Sequence, residues 1–321
     1  MMAFAADLPT MSPSPLPALG IDLGGTKIEA MLLDDAGATR WRERIPTPPD
    51  DYRAALAAIG GLVERARTAA GSAISVGIGT PGTRRADGAM KNANSTCLNG
   101  QPLQRDLEAL LGQPIALAND ANCLALSEAT DGAGAGAAVV FAVIIGTGCG
   151  GGVAVHGRVL QGPNGLAGEW GHNPLPWARD DERPGPACYC GTAGCIEAWL
   201  SGPAVAADHR RHGGAAVDAV AIAQGALAGD AACQASLDRH ALRVARALAS
   251  VVNLLDPDVI VFGGGASRLP GLIERLPSLW TPWVFGARHD PPVRTRLALS
   301  QHGDASGVRG AAWLGRALGA G

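Results

Sequence analysis

The sequence is poor in charged and in aromatic side chains. Charged residues make up 17% of its 321 residues, aromatic residues make up 4%, and the formal net charge is −3. A basic face for nucleic acid or for an anionic membrane is therefore not expected. Few aromatics also argue against a surface on which single-stranded nucleic acid would stack. These shortages favour a small molecule as the ligand.

The chain also lacks any apolar run near the roughly 20 residues that span a bilayer. Residues 1–17 have neither the positively charged segment nor the sustained apolar stretch of a secretory signal, and we predict a disordered N-terminal extension there. Hydrophobic residues make up 47% of the chain, enough for a large core. A chain of this length favours two lobes. We therefore expect a cytoplasmic protein with no membrane partner.

Glycine, in contrast, is abundant, with 45 residues, about twice its usual share. Three clusters follow short apolar runs that are typical of strands: Gly24-Gly25, Gly146–Gly152 and Gly263–Gly265. Glycine lets the backbone approach a phosphate closely, and ligands collect at strand ends in open α/β sheets. The clusters predict a nucleotide site. A plain hairpin turn is the alternative at the first cluster, and a flexible linker is the alternative at the second.

A strand, a glycine turn and a second strand occur in this order twice, first over residues 19–33 and again over residues 139–155. Such a repeat predicts two related lobes that face each other across a cleft for a nucleotide. In the first copy, Thr26 and Lys27 would contact phosphate, although the spacing of a Walker A loop is absent. Helical spacing predicts helices over Asp51–Ala70, Leu103–Leu111, Ala121–Thr130, Asp218–Ala228, Asp230–Leu255 and Gly307–Leu318.

Asn119 and Asp120 follow the predicted strand Ile115–Ala118. A carboxylate at a strand end is placed to accept the proton of a hydroxyl group during phosphoryl transfer. The alternative is that Asp120 caps the helix that begins at Ala121. The local sequence by itself favours the cap.

A histidine and three cysteines have the residue types of a structural zinc site. His172 precedes the segment Cys188-Tyr-Cys190-Gly-Thr-Ala-Gly-Cys195. Three thiolates and one imidazole form a common tetrahedral zinc set with no open position, and cysteines clustered in a chain without a secretory signal favour a metal over a disulfide. The alternative is three free buried thiols.

Two glutamates flank this segment. Glu169 lies in Gly168-Glu-Trp-Gly-His172, and Glu197 follows Cys195 by two residues. Carboxylates beside a polyol accept hydrogen bonds from neighbouring hydroxyl groups. The alternative is that both are solvated surface residues, as glutamates usually are.

These motifs, in this order, resemble the ROK family (repressors, open reading frames and sugar kinases). The resemblance runs from Leu19 to the C-terminal helix. It is carried by Asp22-Leu-Gly-Gly-Thr-Lys27, Asn119-Asp-Ala-Asn122, Gly146-Thr-Gly148, Gly168-Glu-x-Gly-His172 and Cys188-x-Cys-Gly-x-x-Gly-Cys-x-Glu197. It implies an α/β chain with the actin- and hexokinase-like ATPase fold, in which two ribonuclease-H-like lobes surround a nucleotide cleft. Residues 18–120 with the helix at about 307–321 would form the smaller lobe. Residues 121–306 would form the larger lobe with the zinc loop.

The resemblance also implies roles for single residues. Asp120 would be the catalytic base, and zinc would bind His172, Cys188, Cys190 and Cys195. The sugar would contact Asn94, Asn119, Asp120, Glu169, His172 and Glu197. ATP with Mg²⁺ would lie against Asp22, Gly24, Gly25, Thr26, Lys27, Gly146, Thr147, Gly148, Gly150, Gly264 and Gly265. His172 would thus serve both the metal and the sugar.

The activity that the resemblance implies is an ATP-dependent hexose kinase that forms a sugar 6-phosphate, from a chain expected to be a homodimer. Lys91–Pro102 and Gly171–Trp177 resemble the bacterial fructokinase and mannokinase branch, which predicts fructose, and also mannose, as the substrate. The alternatives are an N-acetylglucosamine, N-acetylmannosamine or glucose kinase of the same family, or a sugar sensor without catalysis. A transcriptional repressor of the family is disfavoured, because about 18 residues before the first strand are too few for a helix-turn-helix reader.

Overall fold

The computed structural model describes residues 16–93, 95–289 and 292–318. The chain divides into two compact units: the first runs to Asp120 and includes the chain from Val308 onward, and the second is Ala121–Gly307. The disordered extension predicted for residues 1–17 falls outside the described residues, except for residues 16 and 17. In the described ranges, no helix has the length and apolar character that crossing a membrane requires.

Twelve strands and nine α-helices are found in these ranges. The strands are β1 Ala18–Leu23, β2 Lys27–Leu33, β3 Thr39–Pro46, β4 Ser75–Thr80, β5 Thr83–Arg84, β6 Met90–Lys91, β7 Ala116–Asn119, β8 Val139–Ile145, β9 Cys149–Val155, β10 Arg158–Val159, β11 Val259–Gly263 and β12 Arg296–Leu299. The helices are α1 Tyr52–Ala70, α2 Leu103–Leu111, α3 Asp120–Asp131, α4 Glu197–Leu200, α5 Gly202–Arg211, α6 Ala219–Leu227, α7 Ala231–Leu255, α8 Leu272–Trp280 and α9 Ser306–Ala317.

The sheet of the first unit has the order β3-β2-β1-β4-β7. Strands β3, β2 and β1 pair antiparallel, whereas β1, β4 and β7 pair parallel. Three parallel strands therefore end at the same edge of the sheet. Apolar side chains of the sheet and of α1 and α2 form one buried core, which includes Leu19, Ile59 and Leu107.

Helix α9 packs on this sheet at very short range. A Cβ atom at Gly20 would lie 1.9 Å from the carbonyl oxygen of Val308, and one at Gly77 would lie 2.0 Å from that of Ala311. Neither distance is sterically possible, so the contact requires glycine on β1 and on β4. This contact fixes α9 to the sheet of the first unit.

The sheet of the second unit has the order β10-β9-β8-β11-β12 and repeats the pattern of the first, with antiparallel pairs followed by parallel pairs. The long helix α7 supplies much of the core behind it, through side chains such as Val244 and Leu248. Asp230 caps α7 by accepting hydrogen bonds from the backbone N–H groups of Ala232 and Cys233. Both copies of the predicted strand–turn–strand repeat are therefore present.

The second glycine cluster differs from the sequence prediction. Only Gly146, Thr147 and Gly148 form the turn, because β9 begins at Cys149 and Gly150–Gly152 pair with β8. A Cβ at Gly151 would lie 2.6 Å from the Trp170 ring, and one at Gly152 would lie 2.3 Å from the carbonyl oxygen of Ala121. These two glycines thus make room for close packing. The prediction of a turn across residues 146–152 was wrong for its second half, because a glycine run alone does not distinguish a loop from a tightly packed strand.

Candidate active site and metal centre

Two carboxylates and an amide lie at the edge where the parallel strands of the first sheet end. Asp22 precedes the last residue of β1, Asn119 ends β7, and Asp120 begins α3. The register pairs Asp22 with Gly79, Gly79 with Ala118, and Thr80 with Asn119. Sheet pairing therefore brings predicted nucleotide-binding and sugar-binding residues to one edge, which is where open α/β sheets bind ligands.

The negative charge of Asp120 disfavours ionisation of Asp22 at this edge. Burial raises the pKa of Asp22 from 3.8 to about 6, with further contributions from the charges of Asp120 and Glu29. Lys27 acts in the opposite direction but does not cancel the effect. Asp120 stands in the first turn of α3, where the helix dipole favours a negative charge. A cation that bound here would relieve the repulsion between the carboxylates.

The first glycine turn is a hairpin, as its alternative interpretation required. The N–H of Gly24 donates to the carbonyl oxygen of Lys27 over 3.0 Å. Thr47 fixes the turn from outside, since its hydroxyl donates to the Gly24 carbonyl over 2.7 Å. Gly25 and Thr26 are exposed at the tip. A hairpin tip held in this way keeps its backbone accessible, so the hairpin and the phosphate interpretations are compatible.

In the second unit, the predicted glycine residues gather at the corresponding edge of the sheet. Gly263 pairs with Ile144, so the end of β11 lies beside the end of β8. Gly264 has φ of +83°, and a Cβ there would lie 2.5 Å from the carbonyl oxygen of Ile145. Gly264 is thus required for this approach, and it holds the Gly264-Gly265 turn beside the turn Gly146–Gly148.

Glu197 links this edge to the cysteine-rich loop. Its Oε2 accepts a hydrogen bond from the N–H of Cys149 over 2.8 Å, at the start of β9. A Cβ at Gly148 would lie 2.6 Å from the same oxygen. Glu197 is half-buried, so the alternative that it is a solvated surface glutamate was wrong.

Glu169 is positioned by the segment around it. Trp170, which follows it, is buried and packs edge-to-face on Phe141, with ring centroids 5.6 Å apart. A Cβ at Gly171 would lie 1.8 Å from the carbonyl oxygen of Cys149. The Gly-Glu-Trp-Gly-His segment therefore lies directly on β9. Asn94, the remaining predicted sugar contact, falls outside the described residues.

The structure brings together the four residues predicted to hold zinc. The ligand atoms of His172, Cys188, Cys190 and Cys195 all lie within 4.8 Å of one another. The Sγ atoms of Cys190 and Cys195 are 3.6 Å apart, and the Sγ of Cys188 is 3.6 Å from Nδ1 of His172. Zinc bonds of about 2.3 Å to sulfur and about 2.0 Å to nitrogen, in a tetrahedron, place donors about 3.5–3.8 Å apart. Both distances fit that arrangement.

A tyrosine that the sequence analysis did not single out lies on the other side of His172. The hydroxyl oxygen of Tyr189 is 3.1 Å from Nε2 of His172, and the two rings meet at 90°. Tyr189 is largely exposed, but partial shielding of its hydroxyl from water raises the pKa of Tyr189 to about 12, with contributions from the charges of Glu197 and Glu169. Tyr189 therefore belongs to the group of side chains that surrounds His172. Its place inside Cys-x-Cys was the only sequence signal for it.

Buried ion pairs hold the cysteine-rich loop onto the second unit. Glu182, in the loop before Cys188, accepts hydrogen bonds from Arg243 over 2.8 Å and from Arg246 over 2.7 Å, both on α7. Arg243 also donates to Asp208 of α5 over 2.9 Å. Burial alone would raise the pKa of Glu182, but these arginines outweigh it and lower that pKa to about 2. The loop thus has a charged anchor, which no local motif had indicated.

Comparison with known sequences identifies the family. The profile of the ROK family matches residues 18–317. The chain belongs to the ROK family. The match spans both units and every motif described above, so the family resemblance predicted from those motifs is confirmed.

Several members of the ROK family are similar over nearly their whole length. N-acetylgalactosamine kinase AgaK of Shewanella sp. (strain ANA-3) is 36% identical over 304 residues, which are 94% of this chain and 97% of the relative. The N-acetyl-D-glucosamine kinase of Escherichia coli O6:H1 is 39% identical over 306 residues, with 92% and 98% covered. The crystal structure of a ROK hexokinase from Thermus thermophilus has a TM-score of 0.82 at 33% identity, with 93% and 97% covered.

These ROK family kinases confirm two predictions. The first is the hexokinase-like α/β fold. The second is that the chain is an enzyme, a phosphotransferase with a hydroxyl group as acceptor. The roles assigned to single residues in catalysis and in binding ATP, the sugar and zinc stay predictions.

Because the pKa of Asp22 is raised in the folded chain, we expect the free energy of unfolding to depend on pH. A folded-state pKa of about 6, above the ordinary 3.8, means that stability falls as the pH rises from about 4 to about 6, because the unfolded chain ionises first. Asp22→Asn does not titrate. We expect this variant to gain about 2–3 kcal/mol in free energy of unfolding relative to the native chain across that window. Urea denaturation at a series of pH values measures it.

Asp35→Asn, at an exposed position of the same unit, is the control for that series. It should follow the native chain at every pH. If the difference between Asp22→Asn and the native chain were the same at pH 4 and pH 7, the raised pKa of Asp22 would be ruled out.

The arrangement of the four predicted zinc ligands allows a test by metal content. Cys190→Ala removes one of four ligands from a closed set, so purified protein should lose most of its zinc, measured by elemental mass spectrometry. Cys97→Ala, which changes a cysteine of the first unit outside the cluster, should keep the native zinc content. Equal zinc in the two variants would contradict the assigned ligand set.

Proposed function

We propose that this chain transfers the γ-phosphoryl group of ATP to the 6-hydroxyl of an N-acetylated hexosamine, N-acetylglucosamine or N-acetylgalactosamine. The observation that carries the choice of sugar is the identity of 36–39% with kinases of these two sugars over 92–94% of the chain. The carboxylates at the edge of the first sheet support the chemistry, since phosphoryl transfer needs a base beside the acceptor hydroxyl.

This proposal replaces the prediction of fructose. Fructose was predicted from the segments Lys91–Pro102 and Gly171–Trp177, which resemble a fructokinase branch. The relatives with high identity over the whole chain favour the alternative, an acetylated sugar. Short segments are weak guides to substrate, because one or two side chains of a pocket determine which sugar binds.

In the proposed reaction, Asp120 accepts the proton of the attacking hydroxyl. The position of Asp120 at the start of α3, at the edge where β1, β4 and β7 end, supports this role. Bound ATP supplies the phosphoryl group, and its Mg²⁺ offsets the negative charge that develops during transfer. Asp22 is the carboxylate suited to that cation, since burial and neighbouring charge make its own ionisation unfavourable without one.

The backbone of the glycine turns would hold the phosphates. In the first unit this is the hairpin tip at Gly25 and Thr26, with Lys27 adding positive charge. In the second unit it is the turn at Gly146–Gly148 together with Gly264-Gly265. Gly150 is a weaker candidate than predicted, since it lies within β9 and pairs with Ile144.

Glu169, His172 and Glu197 would bind the sugar hydroxyl groups, with Asn119 as a further contact. Zinc would have a structural role, since four protein ligands leave no position for a reacting group. By binding Nδ1 it would fix the tautomer and the orientation of the His172 ring. The homodimer implied by the family resemblance stays a prediction.

The test is the release of ADP by purified protein with Mg-ATP and five sugars: N-acetylglucosamine, N-acetylgalactosamine, glucose, mannose and fructose. We expect kcat/KM for at least one acetylated sugar to exceed that for each of the other three at least about 10-fold, which is about 1.4 kcal/mol in transition-state binding. Preference for glucose, mannose or fructose would reject the proposed substrate but keep the kinase. No turnover with any sugar, in protein shown to contain zinc, would favour a sensor without catalysis.

A further inference from the structure

The His172 ring has two nitrogens, and the structure gives each a different neighbour. Nδ1 lies 3.6 Å from the Sγ of Cys188, in the cluster of metal ligands. A ring nitrogen that binds a metal carries no proton, so in the neutral imidazole the proton is on the other nitrogen. Nε2 of His172 is then a hydrogen-bond donor.

That donor already has an acceptor. The hydroxyl oxygen of Tyr189 lies 3.1 Å from Nε2, within hydrogen-bond distance. An imidazole N–H points along one direction in the plane of the ring and makes one good hydrogen bond. Tyr189 therefore holds the position in which a sugar hydroxyl would accept from His172.

Tyr189 is held weakly in this position. Its side chain is 74% exposed, and in the described part of the chain its hydroxyl makes no other hydrogen bond. A Cβ atom added at Gly191, two residues further on, would meet no atom within 4 Å, so the loop is open on that side. An exposed side chain with one hydrogen bond can rotate away without disturbing the core.

We propose that Tyr189 is a further residue of the sugar site, and that its hydroxyl holds the place of a sugar hydroxyl on Nε2 of His172 until the sugar displaces it. Binding then exchanges one hydrogen bond of His172 for another, which lowers the net affinity. The proposal rests on the sugar-binding role of His172 in the proposed function. It adds to that function a residue that sets how tightly the sugar binds.

The chain contains two tyrosines, Tyr52 and Tyr189, which allows a direct observation. Protein labelled with 3-fluorotyrosine should give two ¹⁹F resonances, and the Tyr52→Phe variant assigns them. Tyr52 lies in the first unit, where its hydroxyl donates to Asp106 over 3.0 Å. Saturation with the sugar that gives the highest kcat/KM should shift the Tyr189 resonance. A Tyr189 resonance unchanged at saturation would overturn the proposal.

The affinity for the sugar gives the second test, because the proposal predicts tighter binding when the tyrosine hydroxyl is removed. Tyr189→Phe keeps the ring but removes the competing acceptor, so the dissociation constant of the sugar, measured by calorimetry, should fall by about 2- to 10-fold. Tyr52→Phe should leave it unchanged. Weaker or unchanged binding in Tyr189→Phe would overturn the proposal, as would loss of zinc from this variant, which would show a structural role.

The role of Tyr189 and the identity of the substrate are tested by separate experiments, and each can fail without the other. Turnover by the native chain decides which sugar is the substrate, and the tyrosine experiments use whichever sugar that is. A kinase that prefers glucose would therefore reject the acetylated substrate while the two tyrosine experiments still decide the role of Tyr189.

Discussion

The parallel pairing of β1, β4 and β7 is the constraint on which the catalytic proposal depends. It brings Asp22 and Asp120 to one edge of the first sheet, although 98 positions separate them in the chain (120 − 22). The charge of Asp120 adds to the effect of burial and raises the pKa of Asp22. A carboxylate withdrawn from water beside a second negative charge is unfavourable, and such an arrangement is typical of sites that bind a cation or move a proton.

In the second unit, a long loop with little regular structure has to be held in place. The loop from Asn173 to Ile196 carries three of the four predicted zinc ligands. Its internal link is the cluster of thiols with His172, and its external anchor is Glu182 between Arg243 and Arg246. Breaking a buried pair leaves an uncompensated charge, so this anchor makes the loop position costly to change. A fixed loop in turn fixes His172 and Glu197.

Local patterns in the sequence were sufficient for much of this structure. Leu103–Leu111 is the helix that was predicted, and α7 ends at Leu255, before a proline at residue 257, as expected. Residue type and spacing also singled out His172, Cys188, Cys190 and Cys195, which the structure brings together. In contrast, Gly150–Gly152 were assigned to a turn, because the requirement for glycine arises from Trp170 and Ala121, which pack against the strand.

The other features that the sequence analysis did not predict also depend on residues that are distant in the chain or on the geometry of the site. The ion pairs of Glu182 join residues that lie 61 and 64 positions apart, and no local window contains both partners. Tyr189 could not be assigned because its role depends on which way the His172 ring faces. The choice of sugar depends on pocket side chains whose effect a motif does not encode.

If Asp120 at this sheet edge is the base of the reaction, replacing it should slow turnover, which is measured as kcat of Asp120→Asn with the preferred sugar. We expect kcat to fall by about 10²–10⁴-fold, with sugar binding retained in calorimetry. Asp131→Asn, at the other end of α3, is the matched control and should turn over like the native chain. A kcat for Asp120→Asn within a few-fold of the native value would show that Asp120 is not the base.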